Sequence, residues 1–493
     1  MTDKQIIQQR LKDFEALKKE NTRLALRVAE LEKKLSKYEN PKNSKNSSIP
    51  PSQDPNRVTQ SLRKKSNKKV AAPACLPVGT AGGQGGQKGH KGSKLNRVPD
   101  PDEIILHDVT QCEWCNALLP EDGEVKSRQI FDIPKIKIKA TEHRIIIKKC
   151  TSCGTKNKSD FPEELVQEAQ YGNHIKSLGV YLQNYQMIPY ARCVELLYDL
   201  TGHRLSAGSL ANFQSKMFNQ LDTFENEIKT LLLQSTILHG DESGMKVNAA
   251  PAGGQGDGNW MHVASNKFFS HFGFHKTRGH KAIDSFNIIP LYNGTLIHDR
   301  FSAYFKYQCK HSLCNAHLLR ELLYLWEVKE LKWAKDISNI LVNLHHNQKH
   351  GKEFTERNYQ NILKRWEELI APTISGYNEV YKKTKEERLA FALEKHKHLF
   401  LKFIKEKAVP TGRQDVPFDN NQAERDLRIA CPVFTTGIKV KQKISGCFRE
   451  YSYGEYFARI RSYISTLKKN EKNILQNIQL AIYNDDFFPN LAE

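Results

Sequence analysis

The sequence predicts a multidomain α/β protein, and three observations predict it. Its 493 residues exceed what one ordinary hydrophobic core organises. The apolar pattern changes character along the chain, from heptads to a polar Gly/Pro/Lys tract, then to β-branched alternation, then to helical periodicity. Strand-like runs that end in carboxylates then recur between long helical stretches. Lys plus Arg number 75 against 55 Asp plus Glu, a formal net charge of +20, which points to a polyanionic partner, nucleic acid first. No run of about 18 apolar residues is present, and MTDKQIIQQR at the start has no apolar signal core, so the expectation is a cytoplasmic protein with no membrane association.

Residues 1–40 are expected to form a coiled coil. Phe14, Asn21, Val28 and Leu35 repeat at one heptad position and Leu17, Leu24, Leu31 and Tyr38 at the other. A single Asn in that seam favours paired, in-register chains, so a homo-oligomer, preferably a parallel dimer, is expected; one amphipathic helix packed on its own protein is the alternative. Residues 41–103 read as a disordered linker. From Pro41 to Arg97 there are twelve Lys or Arg and one acid, Asp54. Its GGQGGQKGHKG lacks Walker spacing and the dinucleotide pattern, which leaves a basic tether along phosphates or a plain linker.

Residues 104–160 are expected to be a zinc-binding β module. Cys112-Glu-Trp-Cys115 and Cys150-Thr-Ser-Cys153 are C-x-x-C pairs on either side of RQIFDIPKIKIKATEHRIIIKK, whose alternation suggests a hairpin that brings the pairs together. Four thiolates make the closed tetrahedral set that structural Zn²⁺ prefers. Residues 161–234 are helical in pattern. Pro189 opens one helix, Gly202 ends it and Ser206 caps the next, a pair that is either a DNA-binding helix-turn-helix reading a groove through Ser209, Asn212 and Gln214 or an ordinary helical hairpin.

From Ser235 strands return: STILHGD, a hairpin pattern in NWMHVASNKFFSHFGFH, a helix from about Arg278, and TLIHD. Carboxylates stand at two expected strand ends, Asp241 or its neighbour Glu242, and Asp299. Alternation puts Asp241 and Glu242 on opposite faces and does not say which face is active. This first part of a core, 235–320, is followed by a helical insertion, 321–410, with Pro372 within and Pro410 at its end. A second core part, 411–450, holds DNNQAERDLRI, a helix with Asn421, Glu424, Arg425 and Arg428 on one face and Ala423, Leu427 and Ala430 on the other. C-terminal helices occupy 451–493.

Strand with Asp, hairpin, helix, strand with Asp, then a late helix with Glu is the order of a ribonuclease-H-like integrase core. Three carboxylates provide the hard oxygen ligands for two Mg²⁺ (or Mn²⁺) ions about 4 Å apart across a scissile phosphate. KNSSIPPSQD, GGQGGQKGHKG, the two C-x-x-C pairs, HGDESGMKV, HDRFSAYFKY, CNAHLLREL, DNNQAERDLR and KVKQKISGCFR occur in one order. In these motifs, along nearly its whole length, the chain resembles the insertion sequence 66 family of transposases, the transposase C protein of the DDE type.

The resemblance implies that Asp241, Asp299 and Glu424 are the catalytic and Mg²⁺-binding carboxylates, and that Cys112, Cys115, Cys150 and Cys153 bind zinc. It implies a DNA transposase, of a kind often encoded beside accessory proteins of the same element, that binds transposon ends, cleaves strands and transfers them to target DNA, and associates with the nucleoid when bound. His317 and Arg320 of CNAHLLREL, with Asn421, Arg425 and Arg428, are candidate accessory residues; His317 is either a buried structural residue or a participant in DNA handling. The chain departs from the family pattern at Ala430 to Gly437, an inserted ACPVFTTG just beyond the catalytic helix. A catalytically inactive DNA-binding remnant and a nuclease without strand transfer are the alternatives.

Overall fold

Among the described residues, little regular structure precedes residue 173. The structure, a computed structural model, describes residues 95–121, 124–247, 258–377, 382–405, 416–427, 433–435, 438–440, 448–484 and 489, together with Arg23 and Arg27 in helix. The rest of the expected coiled coil, most of the basic linker, Pro410, Arg428 and Ala430 lie outside the described residues. Within the cysteine-rich segment each C-x-x-C pair closes a tight turn. Asn116 N donates to Cys112 O at 3.0 Å and Gly154 N to Cys150 O at 3.0 Å, with Asn116 (φ 54°) and Gly154 (φ 75°) in the left-handed region that such turns need.

The hairpin expected between the two pairs is not present. Only Ile147–Lys149 (β1) of that stretch is strand, and it pairs antiparallel with Lys156–Lys158 (β2) across the second cysteine turn. A short loop closes at lower entropic cost than a pairing across the whole segment. The alternating isoleucines also bury little, Ile130 being 94% exposed.

Four helices follow: Asn173–Val180 (α1), Tyr190–Thr201 (α2), Ala207–Gln220 (α3) and Asp222–Leu233 (α4). Local chemistry sets three of their boundaries as expected. Pro189 precedes α2, Gly202 ends it at φ 73°, and Ser206 Oγ caps α3 by accepting from Ser209 N at 2.9 Å. Among the three candidate groove readers, Gln214 is corrected. It is buried and its Nε2 donates to Gln183 Oε1 and Tyr190 OH. It falls on the α3 face that carries Leu210, Phe213 and Met217 into the core, so helix packing claims it.

The central sheet has five strands: Ile237–Met245 (β3), Asn259–Ser265 (β4), Ser270–His275 (β5), Thr295–His298 (β6) and Lys310–Leu313 (β7). Their order is β5-β4-β3-β6-β7. The β3-β4-β5 half is an antiparallel meander, whereas β6 runs parallel to β3 and β7 parallel to β6. Asn266 Oδ1 accepts from Phe268 N and Phe269 N to turn β4 into β5. The helix expected from Arg278 is the short His280–Ser285 (α5).

Next come Asn315–Lys329 (α6), Lys332–Lys349 (α7), Glu356–Ser375 (α8), Lys385–Phe400 (α9) and Lys402–Lys405 (α10). They bury a core of their own, with Leu322, Ile337, Leu341, Trp366, Ile370 and Leu393 at its centre. Helical structure thus begins at Asn315, inside the segment read as core, and Pro372 sits in the last turn of α8. The chain returns through Asn421–Leu427 (α11), the strands Val433–Thr435 (β8) and Ile438–Val440 (β9), which pair antiparallel, and ends in Tyr451–Lys469 (α12) and Ile474–Tyr483 (α13).

A second, larger core joins Leu210, Met217, Phe224, Ile228 and Leu232 to Ile460, Tyr463, Ile464 and Ile478 and to Leu238 and Leu296 of the sheet. The helices before the sheet and those after it therefore cover one sheet face together. Boundaries drawn at 234 and 450 pass through this single apolar core.

Candidate active site

Register puts two carboxylates level with each other. In the β3/β6 ladder Ile237 pairs with Thr295, Leu238 with Leu296 and His239 with Ile297. Two residues further on, with the same side-chain parity, stand Asp241 and Asp299. Asp299 lies just past the end of β6, where its Oδ1 accepts from Phe301 N at 2.9 Å. Asp241 is not at a strand end, contrary to expectation. The parallel ladder stops at His239, but the antiparallel one with β4 continues to Met245 opposite Asn259, so β3 runs four residues beyond Asp241.

Continuation of the strand separates Asp241 from Glu242. Glu242 is buried and both its oxygens are taken, Oε1 by Arg278 Nε and Oε2 by the Tyr304 hydroxyl, each at 2.7 Å. Tyr304 also packs beneath Gly240, where an added Cβ would come within 3.3 Å of its ring. Glu242 therefore belongs to a structural tie. Asp241 accepts one hydrogen bond, from Glu242 N at 2.9 Å. Its pKa is pushed well above the ordinary carboxylate range, first by burial and then by the charges of Glu242, Asp299 and Glu424.

Glu424 arrives on α11, whose Ala423 and Leu427 are buried as the helical periodicity predicts. Its Oε1 lies 3.4 Å from His317 Nδ1 and its Oε2 3.4 Å from an Arg320 guanidinium nitrogen. His317 and Arg320 are one turn apart on α6, so the helical insertion reaches the third carboxylate through its first helix. The carboxylates of Asp241, Asp299 and Glu424 share one electrostatic environment, yet their oxygens do not close into a single ligand set. Among the described residues the group that does is Cys314, His317 and Glu424, with ligand atoms all within 4.8 Å of one another. Arg425 is exposed.

Asn420 is the residue that sequence reasoning missed. Fully buried, it accepts from His239 Nδ1 at 2.9 Å through Oδ1, donates to Gly240 O at 2.8 Å through Nδ2, and donates its backbone N–H to Cys314 Sγ at 3.1 Å. It pins the start of α11 against β3, one residue from Asp241. Its neighbour Asn421, named for its place on the helix face, instead bonds back to Asp419 through backbone and side chain. The Asn pair directly before a helical run was the available signal, since Asn is favoured at the residue that caps a helix. Burial holds His239 neutral, its pKa lowered to about 4, and pushes the Cys314 thiol up to about 12.

The two cysteine turns remain apart from each other and outside any four-thiol cluster in the described residues. Each is nonetheless prepared for thiolate. Hydrogen bonds from the Cys115 and Trp114 backbone lower the Cys112 pKa, and hydrogen bonds from Thr155 lower that of Cys153 to about 7.

Residues 168–455, more than half of the chain, match the family model described as Transposase IS66 family. Residues 110–154, which include all four paired cysteines, match the zinc-finger binding domain of transposase IS66. No curated protein matches the chain. Among solved structures, a chain of the Mos1 strand transfer complex is similar at 13% identity over 48% of this chain and 80% of that one, with a TM-score of 0.11. No described helix is long and apolar enough to cross a membrane.

Proposed function

The chain belongs to the IS66 family of transposases, and on that premise we propose that it cleaves DNA at transposon ends and transfers the strands through Asp241, Asp299 and Glu424. The observation that carries the reading is the β3/β6 register, in which Asp241 and Asp299 each follow a paired residue, His239 and Ile297, by two positions, while Asn420 ties the Glu424 helix to the same strand. An antiparallel meander followed by two parallel strands, with Asp241 on β3 and Asp299 just past the end of β6, also supports a ribonuclease-H-like core.

The donor set fits hard divalent cations. Asp241, Asp299 and Glu424 offer the oxygen ligands such cations prefer, and the Asp241 pKa is raised first by burial and then by neighbouring negative charges that a cation would offset. When bound, two Mg²⁺ (or Mn²⁺) ions would activate water or a 3′-hydroxyl and stabilise the leaving oxygen. The chain's own residues hold the geometry. Asn420 fixes the approach of α11 to β3, the Arg278–Glu242–Tyr304 tie stiffens the back of the strand, and Arg320 steadies Glu424. Cleavage of intact ends and strand transfer with pre-cleaved ends, assayed side by side, test the reading. Joined product in Mg²⁺ is expected; cleavage without joining would favour a nuclease, and neither would favour an inactive DNA-binding remnant.

Structural zinc in the 110–154 region follows from the zinc-finger match; we assign it to Cys112, Cys115, Cys150 and Cys153. Metal analysis is expected to find about one zinc per chain from that set. Occupancy unchanged after Cys112→Ser and Cys150→Ser together would contradict the assignment. The net charge of +20 supports DNA as the partner. For the heptads at 6–38, deletion is expected to lower the mass seen by light scattering, and an unchanged mass would place assembly elsewhere.

A further inference from the structure

We propose that Cys314, His317 and Glu424 form a second metal site, one for a thiophilic divalent ion such as Zn²⁺. The three ligand atoms, a thiol sulfur, an imidazole nitrogen and a carboxylate oxygen, all lie within 4.8 Å of one another. Their convergence has a local cause. Cys314 is the residue on which α6 starts and His317 stands three residues further, so both project from one side of the first turn, and Asn420 carries α11 with Glu424 against them.

Two of the three ligand atoms also go without a hydrogen bond. His317 Nδ1 and Glu424 Oε1 are closed to solvent and make no hydrogen bond, although they stand only 3.4 Å apart. Buried polar atoms are nearly always paired, and a cation between these two would satisfy both. Zinc takes sulfur at about 2.3 Å and nitrogen or oxygen at about 2.0–2.2 Å, so the ligands need to close by roughly an ångström. Sulfur and imidazole select zinc-like ions, whereas Mg²⁺ prefers an all-oxygen set. Cys314 gives its proton to solvent as the ion binds. The fourth position stays open, as in zinc sites with three protein ligands.

The site's consequence rests on the function proposed above. Glu424 serves both ligand sets, and an ion held by Cys314 and His317 withdraws it from Asp241 and Asp299. Zinc would then hold the enzyme in a state that cannot take up its second Mg²⁺.

Co²⁺ titration of the full-length protein, treated with a mild chelator so that zinc remains in the cysteine-rich module alone, tests the site without recourse to activity. The wild type is expected to show thiolate-to-cobalt charge-transfer absorption that Cys314→Ser removes and Cys112→Ser leaves in place. His317→Ala should weaken Co²⁺ binding by more than the roughly 10–100-fold that loss of an outer-shell partner costs. His317 is partly exposed, so its variant decides the matter should Cys314→Ser fail to fold. Absorption identical in the wild type, Cys314→Ser and His317→Ala, or lost only with Cys112→Ser, overturns the proposal. Asp241→Asn and Asp299→Asn are expected to keep the absorption, which separates the fate of this site from that of the cleavage reading.

Discussion

Asp241→Asn, Asp299→Asn and Glu424→Gln are each expected to abolish cleavage and joining while DNA binding persists. Each replacement keeps the shape of the side chain and removes a charge that would hold a divalent ion. Metal ions in such sites supply several kcal/mol of transition-state stabilisation, and each 1.36 kcal/mol is tenfold in rate. Losses of about 10³-fold or more should therefore appear in a cleavage assay in Mg²⁺. Gel-shift binding, carried by basic residues elsewhere, should change little. Glu242→Gln is the informative control. It weakens the bonds to Arg278 and Tyr304 and so is expected to cost about 1–3 kcal/mol of stability, with cleavage retained by the folded fraction. An inactive Glu242→Gln beside an active Asp241→Asn would place the chemistry on the other face of β3.

Asn420→Ala is expected to have the second-largest effect, although Asn420 touches no reacting atom in the proposed mechanism. Truncation strands His239 Nδ1 and Gly240 O, both buried beside the carboxylates. Each unsatisfied group costs about 1–3 kcal/mol, so thermal unfolding should shift down by several degrees. Cleavage should fall further than stability alone explains, because Glu424 sits one turn beyond the clamp and misplacement by about 1 Å can cost about 10²-fold. Asn421→Ala provides the comparison. Among the described residues its side chain bonds only to Asp419, two residues back, and stability should stay within about 0.5 kcal/mol of wild type, as for ordinary surface positions. A larger loss at 421 than at 420 would refute the clamp.

These two experiments fall where sequence and tertiary structure divide. Features set by a few neighbouring residues were legible in the chain itself. Pro189, Gly202 and Ser206 bound their helices because φ restriction, left-handed freedom and a side-chain acceptor act within one turn. Ala423 and Leu427 face inward because a 3.6-residue period requires one face to be apolar. The motif order likewise carried the family resemblance without coordinates. What the tertiary structure decided were choices between adjacent residues and between distant ones. Asp241 and Glu242 differ by one position on a strand, and only Tyr304 and Arg278, brought from 62 and 36 residues away, show which carboxylate is already occupied. Gln214 looked available for DNA until Gln183 and Tyr190 claimed it. Asn420 gains its role from a strand 180 residues earlier. Hydrophobic period and capping are local physics and are written in the sequence, whereas satisfaction of a buried polar group depends on the partner that folding brings to it.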